Sequence, residues 1–260
     1  MKVLSVPDDY PLSNLTKALQ GQDAVVSALP ATDATLSNRI VDACIAAKVK
    51  RYIPSEFGNG TCEAAIEQVP LYIQKAEVAR YLDEATRDRD GLTWSSIDCG
   101  QFFDWGLKEQ WLDFDLEKKE VTIYDSGDKR WSTTCIGTVG IAVAKVLAKP
   151  LDDENVRNKK LLISSFTTSQ NEVLKMLEDQ DKAARKWTVK KMTSIEALEK
   201  AKTASDSDAL KLRILVLLYA DAKDNGTEFE KDVRWANELL GLEKEDLRSV
   251  IEKILSSQQD

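Results

Sequence analysis

Val49-Lys50-Arg51-Tyr52-Ile53-Pro54-Ser55-Glu56-Phe57-Gly58 is the stretch on which the fold of this chain turns. Arg51-Tyr52-Ile53 reads as a short strand, and Pro54 stops it because proline brings no N–H to a ladder. A similar unit lies upstream, where Asp23-Ala24-Val25-Val26-Ser27-Ala28-Leu29 reads as a buried strand ended by Pro30. A third follows Gly91 as Thr93-Trp94-Ser95-Ser96-Ile97. Between them, residues 33–47 carry Leu36, Ile40, Ala43, Cys44 and Ala47 at helical spacing, and residues 67–87 read as a second helix. Strands alternating with helices predict an α/β fold, a parallel sheet with helices on both faces.

Farther out, residues 2–6 predict a strand, and Ser13 opens an amphipathic helix ended by Gly21. Downstream, strands are expected at 120–124, 131–134 and 160–165. Helices are expected at 136–148, 168–180, 194–203, 208–222, 228–240 and 243–256. All six prolines and nine of the eleven glycines precede residue 151. That asymmetry predicts short alternating elements in residues 1–150 and a smaller, mainly helical unit in residues 151–260.

Composition removes many chemistries. The chain has 260 residues, 43% hydrophobic and 31% charged, which is ordinary for a globular protein. Its 36 basic and 44 acidic residues give a net charge of −8, a poor basis for nucleic-acid binding, which rests on neutralising phosphates. It contains no histidine, which excludes Ser-His-Asp and Cys-His nucleophile systems and histidine-bearing zinc sites. Cys44, Cys62, Cys99 and Cys135 form no CxxC pair, so no metal site is expected. A general acid or base at neutral pH must then be Lys, Tyr, Asp, Glu or Cys. The longest apolar run, residues 214–220, is too short to span a bilayer, and the N-terminus has no signal-peptide run. A cytoplasmic protein with reduced cysteines and no membrane partner is expected.

In parallel α/β sheets, ligands sit beyond the carboxyl ends of the strands. Three segments follow strand ends here: Ser27-Ala28-Leu29-Pro30, Pro54-Ser55-Glu56-Phe57-Gly58 and Asp98-Cys99-Gly100-Gln101-Phe102-Phe103. Their small residues, glycines and aromatics suit a flat ligand, and equally suit ordinary connecting loops. Lys75 stands out on the helix near 67–87. Val78, Ala79 and Leu82 follow it at i+3, i+4 and i+7, which places it on the apolar stripe, away from Glu77, Arg80 and Glu84. Burial lowers a lysine's pKa toward the range useful for proton transfer. The alternative is a stem that covers apolar surface while the ammonium reaches water.

The opening stretch closely resembles the "VKRFIPSEFG" signature of the NmrA-like and isoflavone-reductase-like atypical short-chain dehydrogenases. Residues 15–28, Leu-Thr-Lys-Ala-Leu-Gln-Gly-Gln-Asp-Ala-Val-Val-Ser-Ala, resemble that family's "L-x-x-A-L-x-G-x-D-x-V-I-S". Lys75-Ala76-Glu77-Val78-Ala79-Arg80-Tyr81-Leu82 resembles "K-x-x-V-R-x-Y-L", which begins with the family's catalytic lysine. Residues 93–97 through Phe102-Phe103-Asp104-Trp105, and Asn237-Glu238-Leu239-Leu240-Gly241-Leu242, are similar to its fungal branch. The resemblance implies a Rossmann-like NAD(P)-binding domain in residues 1–150, interleaved with a C-terminal substrate-domain portion in 151–260. NADPH or NADP is the implied cofactor and a small molecule the implied substrate. By position, Ser27, Ala28 and Leu29 would lie toward the adenosine, and Pro54, Ser55, Glu56 and Phe57 toward the nicotinamide ribose. Lys75 would be the acid or base, and Gly100, Phe102, Phe103 and Trp105 would border the substrate.

The family's GxxGxxG phosphate loop has no counterpart here, since the first glycine is Gly21. The resemblance therefore begins at the family's third strand, so an N-terminally truncated Rossmann sheet is expected. Residues 23–28 would form its open edge unless residues 2–6 move in to pair with them, and cofactor binding would be weakened. Three functions stay open: an NADPH-dependent reductase of an aromatic or unsaturated substrate, a non-catalytic dinucleotide-sensing regulator with a protein partner, and an inactive truncated relative.

Overall fold

The structure is a computed structural model that describes residues 2–30, 33–59, 66, 69–87, 91–180, 186–221 and 225–257. Its first half is a run of β–α units: α1 (Leu12–Leu19), β1 (Ala24–Val26), α2 (Ala34–Ala46), β2 (Arg51–Ile53), α3 (Pro70–Thr86) and β3 (Thr93–Asp98). β1, β2, β3 and a later strand, β8 (Lys159–Leu162), form a four-stranded parallel sheet in that spatial order. The expected α/β class and parallel sheet are therefore present. The register pairs Tyr52 with Trp94 and Ile97 with Leu161.

Strand parity then decides what each face buries. Tyr52 and Trp94 share the face packed by α2 and α3 through Val41, Cys44, Val78 and Leu82. Ile53 and Ile97 share the opposite face, packed by α5 (Ile136–Ala148) through Val139, Ala142 and Val146. Successive crossovers that advance one strand in the same direction put α2 and α3 on the same side.

Arg51 follows Ile53's parity and points toward α5. Its guanidinium donates to the carbonyls of Val146 at 2.6 Å, Lys149 at 2.8 Å and Pro150 at 2.7 Å. These carbonyls lie at a helix C-terminus, where a cation is favoured; those of Val146 and Pro150 also accept the N–H groups of Lys149 and Asp153. One buried side chain thus locks α5 to the sheet.

Two three-stranded sheets complete the fold. In one, β4 (Gln101–Phe102) runs parallel to β7 (Trp131–Thr134), which is antiparallel to β9 (Phe166–Thr168). In the other, β5 (Phe114–Asp115) is antiparallel to β6 (Glu120–Tyr124), which runs parallel to β10 (Thr188–Met192). Around them lie α4 (Phe103–Lys108), α6 (Gln170–Gln180), α7 (Ser194–Ala201), α8 (Asp206–Tyr219), α9 (Asn237–Leu240) and α10 (Leu247–Ser256). Their core joins Phe103, Trp131, Tyr124, Tyr219 and the buried residues 214–218 of α8.

Two expectations are corrected. Residues 2–6 form no strand, and Val3 and Leu4 lie exposed. β1 is accordingly an edge strand, paired only with β2. Residues 228–240 are not one helix. A 3₁₀ turn at Phe229–Lys231 gives way to a second turn closed by the Trp235 N–H on the Asp232 carbonyl at 3.0 Å; Trp235 then bridges Leu162 in parallel, and only Asn237–Leu240 is α-helical. The Asp232 carboxylate accepts the Arg234 N–H at 2.8 Å, a local bond that competes with helix. Cys44, Cys99 and Cys135 are free and buried, while Cys62 lies outside the described residues. No helix among the described residues is long and apolar enough to cross a membrane.

The Arg51 lock has a measurable weight. Arg51→Met is expected to remove three hydrogen bonds between β2 and the end of α5 and cost about 3 kcal/mol, read from urea denaturation.

Candidate active site

The carboxyl ends of β1, β2 and β3 are knitted together by hydrogen bonds between their loops. The Ser27 N–H donates to the Ile53 carbonyl at 2.9 Å, and the Ser55 hydroxyl to the Leu29 carbonyl at 2.6 Å. The Gly58 carbonyl accepts the N–H groups of Cys99 at 3.0 Å and Gly100 at 2.9 Å. Ala28 and Pro30 are exposed, while Leu29, Ser55 and Phe57 are half-buried. The result is a ledge across the strand ends. Phe57 holds φ at +26°, a strained value for a residue with a side chain.

Lys75 sits beneath this ledge. On α3 the buried positions are Tyr72, Lys75, Val78, Leu82 and Thr86, so the lysine occupies the apolar stripe as its spacing predicts. It is 7% exposed, which rules out an ammonium reaching water. Nζ donates to the Glu56 backbone carbonyl, and the Glu56 carboxylate lies 4.0 Å away. Gly58 abuts the same groups, since a Cβ there would stand 3.3 Å from Nζ and 3.3 Å from the Glu56 carbonyl. Tyr72, one turn earlier on the same face, holds its ring centroid 5.8 Å from Nζ. Its hydroxyl accepts the Asn59 N–H at 3.3 Å.

The pattern of β3 brings a further acid. Asp98 has the parity of Trp94 and so faces α3, as does Lys160, whose strand position pairs with Ser96. Asp98 is 2% exposed and Glu56 6%. Burial, with the negative Asp98 beside it, pushes the Glu56 carboxyl up to about 7 against the lowering pull of Lys75 and Lys160. Burial likewise pushes Asp98 up to about 6, opposed by Lys75, Lys160 and Arg234. Burial raises the Tyr72 phenol and the Cys99 thiol so far that both stay neutral near pH 7. Asp98 and Tyr72 were not singled out as site residues from the sequence. The available signal was an acid closing the apolar strand Thr93–Ile97.

The remaining expected residues are dispersed. Gly100 has φ +67°, and a Cβ there would fall 2.3 Å from the Ser132 carbonyl, so only glycine lets β3 turn beneath β7. Phe102 is half-buried and packs with the α5-side core. Phe103 is fully buried in the other core, edge to face with Phe166 at 4.8 Å. Trp105 is exposed, with its ring 6.0 Å from that of Trp111.

The ledge tests the fit of a nicotinamide dinucleotide. Its exposed residues Ala28 and Pro30 and the half-buried Leu29, Ser55 and Phe57 fit a flat group, and Phe57 leans toward the α5-side core rather than toward Lys75. The phosphate end is less well provided. The N-terminus of α2, which follows β1, is the kind of place where dinucleotide folds bind phosphate. Here Asp33 accepts the N–H groups of Thr35 at 2.8 Å and Leu36 at 3.3 Å, and the Gln74 side chain accepts that of Ala34 at 3.2 Å.

Known proteins place this arrangement. The profile of the NmrA-like family matches residues 4–91. The Aspergillus flavus protein "Oxidoreductase aprR" is 32% identical over 259 residues, covering 96% of this chain and 82% of that protein. The crystal structure of isoflavone reductase superposes with a TM-score of 0.70 at 18% identity, covering 97% of this chain and 88% of that one. The leucoanthocyanidin reductase–NADPH complex from Vitis vinifera gives 0.71 at 18% identity, covering 94% and 82%. This chain belongs to the NmrA-like, isoflavone-reductase-like family.

Two outcomes are expected. Gly100→Ala costs about 2–3 kcal/mol in urea denaturation, through the positive φ and the collision with Ser132. Stability also depends on pH. The folded chain binds protons at Glu56 more tightly than the unfolded chain, where a glutamate titrates near ~4.3. The contribution of Glu56 is thus present in acid and lost as pH rises from about 4.3 toward about 7. The denaturation midpoint of wild type relative to Glu56→Gln is expected to fall across that window.

Proposed function

We propose that this chain is an NADPH-dependent oxidoreductase of the isoflavone-reductase-like type, which reduces a small aromatic or otherwise unsaturated substrate with Lys75 as the proton donor. The observation that carries it is a lysine buried under the loops of three parallel strand ends, in a chain without histidine. The names of its relatives, an oxidoreductase and NADPH-bound reductases, support the same reading.

The roles follow from position. Ser27, Ala28 and Leu29 take the adenosine side of the cofactor, and Pro54, Ser55, Glu56 and Phe57 the nicotinamide side. When bound, the reduced nicotinamide supplies a hydride. Lys75 supplies the matching proton from Nζ to the substrate atom that would otherwise carry negative charge, so hydride and proton together saturate one double bond. The Glu56 carbonyl fixes the direction of Nζ, while Tyr72, neutral at working pH, anchors the Asn59 turn. The exposed Trp105, beside Trp111, offers apolar surface to an aromatic substrate.

NADPH titration, followed by energy transfer from the six tryptophans, is expected to saturate. Lys75→Met is expected to lower turnover by about 10²-fold or more while leaving NADPH affinity within a few-fold. Binding without turnover of any enone or aryl ether substrate would instead identify a dinucleotide sensor.

A further inference from the structure

Among the described residues, the buried charges around Lys75 do not balance. Two carboxyl groups, Glu56 and Asp98, are nearly inaccessible, and one equally buried ammonium, Lys75, lies among them. Lys160 is half-buried and Arg234 exposed, so both stand farther into solvent. An unpaired carboxylate in such a place sheds its charge by keeping a proton.

Resting on the reductase reading of Lys75, we propose that Glu56 and Asp98 share one proton at neutral pH and that Glu56 returns it to Lys75 after each turnover. Glu56 acts through Lys75 and touches no reacting atom. The proton path balances. Lys75 gives a proton from Nζ to the substrate and becomes a neutral amine. The Glu56 carboxyl, 4.0 Å away, passes its proton to that amine after an approach of about 1 Å, restoring the ammonium beside a carboxylate. A proton from water then refills the carboxyl pair. No electrons move in these steps, and the hydride is the only reductant.

The geometry gives each partner a distinct part. The backbone carbonyl of Glu56 holds Nζ while its side chain carries the proton, so the two roles separate by substitution. Asp98, on the neighbouring strand end, raises the proton affinity of Glu56 by its charge. Among the described residues, the other titratable groups around the pair are Tyr52 on β2, Tyr72 on α3 and Cys99 after β3, and burial keeps each of them neutral. On the basic side stand Lys75, Lys160 and, toward Asp98, Arg234.

The test is a ¹³C-carboxyl NMR titration of the full chain without ligand, with the Glu56 and Asp98 resonances assigned through bonds so that no variant is required. One carboxyl midpoint near 7 is expected. Lys75→Met should move it up and Asp98→Asn down. Both carboxyls titrating below pH 5 in the wild type would overturn the shared proton. Glu56→Gln keeps the backbone acceptor for Nζ and removes the proton carrier. Turnover should fall about tenfold and lose its dependence on pH around neutrality. An unchanged pH profile in that variant would overturn the return step. A wild type that binds no NADPH and turns nothing over would sink the reductase reading and the return step with it, while the titration still decides the shared proton.

Discussion

An ammonium taken out of water must find oxygen, and in this protein Lys75 finds the backbone carbonyl of Glu56. That bond fixes where α3 sits against the loop that leaves β2. It also sets the character of the next residues. Gly58 has room for no side chain against Nζ, and its own carbonyl accepts the first two N–H groups beyond β3. Gly100, the second of those donors, turns with positive φ directly under the Ser132 carbonyl of β7. One buried cation thus orders the ends of β2 and β3 and the approach of the second sheet.

The opposite face of the parallel sheet is held by the inverse device. There Arg51, buried at the start of β2, satisfies three carbonyls at the end of α5. The parity of two short strands distributes these tasks. Odd positions 51 and 53 face α5, and even positions 52, 94 and 98 face α2 and α3. The Arg51 lock and the Lys75–Glu56–Asp98 cluster therefore occupy different faces of the same strands. The α5 face can be tightly closed because it has no reactive group to expose. The α3 face carries the surplus of acid.

The strands at 51–53 and 93–98 and the helices between them were legible because proline, glycine and apolar spacing mark their limits. Lys75 was legible for the same reason, as a polar residue on an apolar stripe. Residues 2–6 carry strand-like composition, but composition does not supply a neighbour, and β1 pairs only with β2. Residues 228–240 carry helical spacing, yet pairing of Trp235 with Leu162 and the Asp232–Arg234 bond win over it. Asp98 could not be assigned to the Lys75 cluster before the register of β3 against β2 was known, since one residue of slip would turn it to the α5 face.

The two ends of the ledge differ in what they offer a dinucleotide. At the α3 end, a buried ammonium donates to the loop that leaves β2. At the β1 end, the first three N–H groups of α2 are already satisfied by Asp33 and Gln74 from within the chain. A phosphate arriving there would have to displace a carboxylate that is itself well placed at a helix N-terminus. The chain's net charge of −8 gives an anion no long-range attraction to compensate. Among the described residues, then, what the ledge offers a flat ligand is the surface and hydrogen-bonding groups of the strand-end loops. The buried Lys75–Glu56 cluster is built independently of the N-terminus of α2.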